Sequence, residues 1–468
     1  MNKQNEKILF EEASLNIAFL KLALPAVFGQ IIIVIYNIAD TFFIGLTGDD
    51  AKLTAITVCM PAFMFLSAIS NLFGIGGCSN ISRALGKNNR ERASQISSFS
   101  IWGSIMTALV YIAFIFLFMD SFINALGGKN INVHNYASSY LYVTVIFGGV
   151  FTVISNTLSH LVRAEGNGFK SGFGVILGGV MNIILDPLFM FVILKPGNEI
   201  LGAALATMIS NFISMLYFII VIYQNRFISV LTFSPRKFAV GNGIAIDVFS
   251  VGLPACVMTI CENISYAVLD NILCSYGLLV QTGIGVAKKI NMLAHSIVRG
   301  MTQGMMPLIS YNYAGGNNER MKKSVNLTIK SSIICSFICM VVCLVFAKPL
   351  VEIFIQSGSE AVAYGKNFLR ILCLGGPFSA CAYGCISFFQ AVGMGKKSFV
   401  LAVMRKGIID IPMMLLLNKL ISVYGAAYAT PLADAVCCVF ALIFIYNFMN
   451  ESEKGEEINV CNYSTKII

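Results

Sequence analysis

Charged residues are scarce in this sequence. Asp, Glu, Lys and Arg make up 12% of its 468 residues, about half of their usual share in soluble domains. Hydrophobic residues make up 57%, and the mean hydropathy is +0.78. This composition excludes an ordinary soluble domain and predicts an integral membrane protein. We expect no nucleic-acid partner despite the net charge of +9.

Patterns typical of enzymes and metal sites are also missing. The sequence has no HExxH, GxxxxGK[ST] or GxSxG motif and no polar segment large enough to hold a catalytic site. The 14 cysteines lie mainly within apolar runs, as small packing residues do, and no histidine is near the group at 335–343. The sequence therefore predicts neither enzymatic activity nor a bound cofactor.

Twelve apolar runs are long enough to cross a bilayer, which takes about 20 residues of helix. The opening MNKQNEKILFEEAS lacks the pattern of a secretory signal, so we expect the first run to be kept as a spanning helix. The runs are centred near residues 31, 67, 106, 148, 182, 212, 258, 292, 336, 376, 409 and 437. Seven prolines predict kinks in these helices: Pro25, Pro187, Pro254, Pro307, Pro377, Pro412 and Pro431.

The distribution of basic residues predicts the orientation. Loops after the even-numbered runs hold 14 Lys and Arg residues, whereas loops after the odd-numbered runs hold five. Basic residues concentrate on the cytoplasmic side of membrane proteins. We therefore expect the even loops and both chain termini in the cytoplasm, and the protein in the plasma membrane of a bacterium.

The second half of the chain repeats the first at an offset of about 230 residues. Five blocks recur in the same order: LP at 24 and 253, YxxxD at 36 and 266, GKNNRER and GGNNERM at 86 and 315, RAEGNGFKS and QAVGMGKKS at 163 and 390, and LGAALAT and YGAAYAT at 201 and 424. Five blocks in one order indicate a duplication, with six helices in each half.

An even number of helices returns the chain to its starting side, so both halves have the same orientation. The predicted fold class is an all-α integral membrane protein with two six-helix lobes, related by a pseudo-twofold axis along the membrane normal. The segments are a cytoplasmic tail (1–15), an N-terminal lobe (16–225), a cytoplasmic linker (226–245), a C-terminal lobe (246–449) and a cytoplasmic tail (450–468). Two similar bundles around a cleft suit alternating access, and nothing requires more than a monomer.

Two acids in the first half, Asp40 and Asp186, lie at membrane depth without a lysine or arginine to neutralise them. Each is about five to eight residues from the outer end of a helix that runs outward, so we expect similar depths. Two adjacent carboxylates at low dielectric constant cannot both stay ionised. The pair is therefore predicted to hold a proton or a cation such as Na⁺, which is the requirement for an ion-coupled site.

Polar residues at helical spacing surround this pair. Tyr36 and Asn182 each precede an acid by four residues and share its helical face, and Thr207 enters at matching depth. Pro187 frees a backbone carbonyl, which suits coordination of a cation or water. A sodium ion would be bound by Asp40, Asp186, Asn182 and Thr207. The alternative is that these groups only form structural hydrogen bonds between helices.

The second half carries acids and bases together. Glu262 and Asp270 share the membrane-depth sequence with Lys288, Lys289 and further bases. Counting residues from the connecting loop predicts that Glu262 pairs with Lys288 or Lys289. The alternative is a second substrate or ion site, formed by Glu262, Asp270 and Lys288.

These motifs make the sequence resemble the multidrug and toxic compound extrusion (MATE) transporters, over roughly residues 15–450. The stretches that carry the resemblance are LPAVFGQIIIVIYNIADTFFIG, RALGKNNRERA, RAEGN, NIILDPLF, GAALAT and ISYNYAGGNNER. NIILDP together with an aspartate in the first helix looks like the DinF-like branch of that family.

The resemblance implies efflux of cationic or amphipathic small molecules in exchange for protons or sodium ions. In the DinF-like branch the coupling site lies in the N-terminal lobe, and the matching residues here are Asp40, Asp186, Asn182, Thr207, Tyr36, Tyr140 and Asn156. Another branch uses a glutamate where Glu262 stands, but its companion acid is missing, since residues 362–390 contain no Asp or Glu.

Two rival functions follow from the same helices. A flippase for lipid-linked sugars or other anionic lipids would need unpaired bases in its cavity, and the candidates are Lys288, Lys289, Arg299 and Arg405. A passive channel would not need duplicated bundles or a buried pair of acids. The sequence leaves open which ion is coupled and which compounds are moved.

Overall fold

The computed structural model describes residues 7–355 and 357–453, with side chains described as far as residue 450. The predicted tail at 450–468 therefore lies almost wholly outside the described residues. The described chain consists of helices joined by short connections, with no strand among the residues described. It forms twelve spanning helices in two six-helix lobes, as predicted.

The N-lobe contains helices α1 to α6. Their bounds are Leu15–Gly45 (α1), Asp50–Gly86 (α2), Arg90–Ala125 (α3), Ile131–Leu141 continuing through Tyr142–Phe147 and Gly149–Ala164 (α4), Gly168–Pro187 continuing through Leu188–Ile193 (α5), and Glu199–Gln224 (α6).

The C-lobe contains helices α7 to α12. Their bounds are Ile244–Cys274 (α7), Leu278–Ala314 (α8), Asn318–Val345 (α9), Glu360–Cys373 with Gly376–Ala391 (α10), Gly395–Val403 continuing through Met404–Ile408 and Asp410–Ile421 (α11), and Gly425–Glu453 (α12).

Length and composition alone identify eight spanning helices, or ten when two bent pairs are each taken as one. One of the eight, residues 395–450, reverses direction at Ser422–Tyr424. The two parts lie against each other, since Arg405 bonds to Asp434 and Thr430 bonds to Asp410. This stretch therefore contains both α11 and α12. Helix α8 has 37 residues and is also long enough to span, but it is more polar than the others and contains Lys288, Lys289 and Arg299. Together these helices make twelve.

Only some of the helix bends lie at the prolines that predicted them. The two halves of α10 meet at 44°, beside Pro377, and Pro187 precedes the π-helical end of α5. The halves of α4 meet at 51° at Gly148, where no proline stands. Pro25, Pro254, Pro307 and Pro431 lie within single continuous helices. Neighbouring helices satisfy the backbone groups that a proline frees in a membrane.

The repeated Asn-Asn motif has the same structural role in both lobes. Asn89 accepts a hydrogen bond from the backbone N–H of Arg92 at 2.9 Å, and Asn317 accepts one from Arg320 at 3.1 Å. Each asparagine therefore caps the N-terminus of a spanning helix, α3 or α9. The turn before each cap needs a positive φ, which Asn88 (55°) and Gly316 (79°) provide.

The two lobes contact each other at one end of the molecule, which we call the inner end. Both termini of the described chain lie there, because Phe10 packs on Tyr311 and Phe448 on Tyr313, with ring centroids 4.8 and 6.3 Å apart. A Cβ on Gly252 of α7 would lie 1.9 Å from the carbonyl oxygen of Leu72 on α2. Only glycine permits backbones to approach this closely.

Hydrogen bonds reinforce the inner end. Asn80 donates to the carbonyl of Asp247 at 2.9 Å, and Arg92 donates to the carboxylate of the same residue at 2.7 Å. Arg320 of the C-lobe binds the carbonyl oxygens of Phe10 at 2.7 Å and Ala13 at 2.6 Å. The segment that precedes α1 is thereby fixed to the opposite lobe, and the inner end is closed.

Candidate ion-coupling site

Close packing of α1 on α5 sets the register of the two predicted acids. A Cβ on Gly172 would lie 2.4 Å from the carbonyl oxygen of Pro25, and a Cβ on Gly168 would lie 2.6 Å from that of Lys21. In both contacts the positions differ by 147, and the two helices run in the same direction. The same offset places position 40 level with position 187, so Asp40 meets Asp186.

The carboxyl groups of Asp40 and Asp186 are direct neighbours and interact with each other. Asp186 is fully buried, and neither of its oxygens has a hydrogen-bond partner among the described residues. Oδ1 of Asp40 likewise lacks one. No described lysine or arginine forms an ion pair with either acid. Two carboxylates that can only accept hydrogen bonds repel each other, so this arrangement requires a shared proton or a cation.

The predicted polar neighbours lie beside the acids. Asn182 is 2% exposed and donates from Nδ2 to the Thr207 hydroxyl at 3.3 Å, while its Oδ1 has no partner among the described groups. The Tyr140 hydroxyl interacts with Thr207 and lies near both acids, and Tyr36 lies near Asp40. The amide oxygen thus adds a further free acceptor to those of the acid pair.

A polar cavity of about 30 Å³ adjoins these residues, which is room for one or two water-sized guests. Tyr36, Asn156, Asn182 and Thr207 line it. Asn156 therefore belongs with the other predicted residues, although counting residues along its helix places it deeper in the membrane than the acids. The cavity itself extends inward from the acids, because Val175, eleven residues before Asp186 on α5, also lines it, so a deeper position of Asn156 agrees with the count.

Sequence reasoning missed three polar residues of α6 that line this cavity. Ser210, Asn211 and Ser214 follow Thr207 by three, four and seven residues, which is the spacing of one helical face. Asn211 bonds the carbonyl oxygen of Thr207 at 3.0 Å, and Ser214 bonds that of Gly174 at 2.9 Å. The polar stripe along α6 is the signal that would have found them.

The C-lobe corrects the predicted pairing of Glu262. This carboxylate binds Arg299 at 2.7 Å and accepts a hydrogen bond from the Tyr383 hydroxyl at 3.0 Å. Lys288 pairs with Asp270 instead. The prediction of Lys288 or Lys289 as the partner of Glu262 is wrong because α7 packs mainly on α2, whereas α8 packs on α1 and α10. Counting from their connecting loop therefore does not give their relative depth.

Two further buried acids of the C-lobe were missed. Asp434 is 1% exposed and binds Arg405 at 2.8 Å. Asp410 is fully buried and accepts hydrogen bonds from Ser265 at 2.6 Å, Thr430 at 3.2 Å and Lys406 at 3.2 Å. Lys406 and Asp410 are four residues apart, and this i,i+4 pair was readable from the sequence.

Comparison with known proteins supplies the family. The family model described as MatE matches this chain twice, at residues 25–188 and 254–416. The chain belongs to the MatE family. The two matched segments begin 229 positions apart, which agrees with the duplication read from the sequence.

Curated relatives and solved structures match nearly the whole chain. Multidrug export protein MepA of Staphylococcus haemolyticus is 29% identical over 96% of this chain and 97% of its own length. MepA of Staphylococcus aureus strain MRSA252 is 28% identical over 95% of this chain and 96% of its own length. A multidrug resistance MATE family transporter solved in an outward-facing conformation has a TM-score of 0.89 at 21% identity, covering 97% of this chain and 100% of that one.

A structure of MATE in complex with MaL6 gives a TM-score of 0.88 at 22% identity, and covers 96% of this chain and 99% of that one. At this level of identity the solved structures establish the fold alone. They support the two-lobe, twelve-helix architecture described above.

Proposed function

We propose that this protein is a secondary active exporter of cationic or amphipathic small molecules, driven by exchange for protons or sodium ions. The observation that carries the proposal is the pair Asp40 and Asp186, of whose four oxygens three are buried without a hydrogen-bond partner, and which has no base beside it among the described residues. Buried unpaired acids in a membrane protein are costly and are retained for function. This makes a carrier a better interpretation than a membrane enzyme.

Coupling follows from the two tolerable states of the acid pair. With a proton or a sodium ion bound, the repulsion between the carboxylates is relieved and the N-lobe packs as a neutral unit. Without it, the pair carries negative charge that attracts water, a cationic substrate or a new ion. Substrate and coupling ion therefore compete for the same charge, and each favours release of the other.

Alternating access would use the two lobes as rigid bodies. The inner end is closed by the glycine contacts and by the bonds of Arg92 and Arg320, so opening on that side requires these contacts to break. We propose that the coupling ion changes the balance between the closed and open inner end through the packing of α1, which carries Asp40 and also leads to the inner-end segment.

The relatives support the substrate class. Staphylococcal proteins that match over almost their full length are named multidrug export proteins. We propose the same class of cargo here, together with membership of the DinF-like branch, a monomeric state, and a plasma-membrane location with both termini in the cytoplasm. The flippase alternative is less favoured, because three of its four candidate bases, Lys288, Arg299 and Arg405, are each paired with an acid, and only Lys289 of the four has no ion pair among the described residues.

The decisive experiment is efflux of a fluorescent cation from proteoliposomes under an imposed proton gradient and, separately, a sodium gradient. We expect one of the gradients to drive transport by the native protein, and Asp40→Asn to remove the response. The matched control is the double variant Asp270→Asn/Lys288→Gln, which removes the equivalent acid of the second half together with its paired base.

The outcomes separate the alternatives. Gradient-driven transport that persists fully in Asp40→Asn would overturn the coupling proposal. Movement of the cation that ignores both gradients in the native protein would favour a channel. Loss of transport in the double variant alone would place the coupling charge in the C-lobe.

A further inference from the structure

The membrane-buried charges of the C-lobe do not balance. Its four interior acids each bind one base, in the pairs Glu262 with Arg299, Asp270 with Lys288, Asp410 with Lys406 and Asp434 with Arg405. Lys289 remains. It is half-buried, and it has no ion pair, hydrogen bond or aromatic contact with any described residue. Each interior acid of the C-lobe is therefore paired with another base, and none of them neutralises Lys289.

Lys289 lies on the face of α8 that is directed toward the N-lobe. Further inward on α8, Gly300 contacts α1, where a Cβ would lie 2.4 Å from the Cα of Val27. Lys289 precedes Gly300 by eleven residues, which is three helical turns, so both project from the same face. This face is the side of the C-lobe that borders the space between the lobes.

That face is open where Lys289 stands. A Cβ on Gly285, one turn further out, would meet no atom within 4 Å, and Met292 is 40% exposed. Ser296, nearer the inner end, is only 5% exposed. The solvent exposure of this face of α8 increases toward the outer end, as expected for a cleft that is closed at the inner end.

The depth of Lys289 matches that of the acid pair. Gly300 contacts Val27 and Gly304 contacts Ala23, so α1 and α8 are antiparallel. Each residue further along α1 toward the outer end is therefore level with a residue one position earlier on α8. Lys289 precedes Gly300 by eleven residues, so it is level with Ile38, which follows Val27 by eleven residues. Ile38 is two residues before Asp40, or about 3 Å along the helix axis. Asp40 itself projects from the far side of α1, toward Asp186. The cleft thus has a basic group on its C-lobe wall and two acids behind its N-lobe wall.

The neighbouring bases do not combine the lack of an acid partner with a position deep in the membrane. Lys288 projects toward α7 and is held by Asp270. Lys366 also has no ion pair among the described residues, but it lies within two turns of the outer end of α10 and its long stem can reach the headgroup region. Lys289, with about 16 Å of helix between it and the outer end of α8, is too deep for that.

We propose that Lys289 binds the anionic group of the transported compound, and that the preferred substrates are amphipathic zwitterions that carry a carboxylate as well as a cation. An ammonium group at this depth, without an acid partner, gains more from a carboxylate than an exposed lysine would, because the surroundings have a low dielectric constant. The carboxylate binds the C-lobe wall, and the acid pair attracts the cationic end from the N-lobe side. This inference deepens the proposed function and rests on it for the role of the cleft.

The test uses equilibrium binding, which does not require transport. The purified protein in phosphatidylcholine nanodiscs is titrated against tetramethylrhodamine, a zwitterion with a benzoate, and against its methyl ester, a monocation, by fluorescence anisotropy with empty nanodiscs subtracted. The variants are Lys289→Gln, Lys289→Arg and, as the matched control, Lys366→Gln.

We expect the native protein to prefer the zwitterion. Lys289→Gln should weaken zwitterion binding by roughly tenfold or more while leaving the ester unchanged, since a desolvated charge pair is lost. Lys289→Arg should retain most of the preference, and Lys366→Gln all of it. Unchanged binding of the ester also shows that Lys289→Gln is folded.

Three results would overturn the proposal: equal affinity of the native protein for both dyes, equal weakening of both by Lys289→Gln, or the same loss in Lys366→Gln. A second set of nanodiscs containing phosphatidylglycerol tests for a lipid ligand. If Lys289 governed only the binding of this anionic lipid, and not the difference between the dyes, the zwitterion proposal would also fail. Failure of coupled transport would appear separately, in the gradient experiment.

Discussion

The two lobes share the same arrangement of six helices, but they differ in whether their buried acids are paired with bases. In the N-lobe, Asp40 and Asp186 face each other without a base. In the C-lobe, the equivalent acid Asp270 has Lys288, and three further acids have their own bases. Removing one member of a buried ion pair is costly, whereas an unpaired acid can change its charge by taking up an ion. The paired acids of the C-lobe are therefore expected to stay ionised, whereas the acid pair of the N-lobe can change its net charge by binding and releasing an ion.

The largest effect should come from Asp186→Asn. The substitution removes the more deeply buried acid and with it the repulsion that makes ion uptake favourable, so gradient-driven accumulation should fall to the passive level. Exchange of labelled for unlabelled substrate without a gradient should survive, because the lobes can still alternate. Measuring both in the same proteoliposomes checks the prediction, and retained accumulation would show that the acid pair is not the coupling site.

The second effect is on stability and belongs to the C-lobe. Arg299→Met leaves Glu262 buried without its base and should lower the free energy of unfolding by about 3–5 kcal/mol. The double variant Arg299→Met/Glu262→Gln should recover most of this loss. Thermal unfolding in detergent compares the two. A single variant as stable as the native protein would contradict the view that the C-lobe charges are structural.

The third effect tests the closed inner end. A Cβ on Gly252 would lie 1.9 Å from the carbonyl oxygen of Leu72, so Gly252→Ala must push α7 away from α2, at a cost of about 1–3 kcal/mol. Hydrogen exchange in residues 70–86 should speed up. Gly285→Ala is the matched control, because a methyl group there meets no atom within 4 Å. Unchanged exchange in Gly252→Ala would mean that the lobes tolerate separation at this point.

The smallest effect should come from the wall of the N-lobe cavity. Asn211→Ala removes one polar group from the cavity beside the acids. One hydrogen bond contributes about 0.5–1.5 kcal/mol, so the ion concentration needed for half-maximal transport should rise about two- to tenfold with little change in the maximal rate. A large fall in the maximal rate would instead assign Asn211 a role in the motion of the lobes.

Much of the N-lobe site could be read from the sequence. Asp40 and Asp186 stand on helices that run in the same direction, and counting residues along each gives their depth to within a turn. The neighbours Tyr36 and Asn182 follow from spacing of four on the same helix. These inferences need only the rise and periodicity of a helix, which are nearly constant.

The C-lobe pairs could not be read in this way. Glu262 and Arg299 lie on consecutive helices that diverge toward different partners, so the distance between them depends on packing angles that no spacing encodes. The bend of α4 at Gly148 is only partly different: the Gly148-Gly149 pair permits a bend, but neither it nor a nearby proline fixes the angle of 51°. Asp410 and Asp434 were overlooked for a simpler reason, because each stands inside an apolar run that was read as a plain spanning helix.

The sequence by itself determined the membrane class, the twelve spans, the duplication and the depth of the two N-lobe acids, because composition and helical periodicity are local properties of the chain. The tertiary structure alone decided which base neutralises which acid, where the lobes close, and that Lys289 has no acid partner among the described residues. Those outcomes depend on contacts between helices that are distant in sequence, and such contacts are set by how whole helix surfaces fit together.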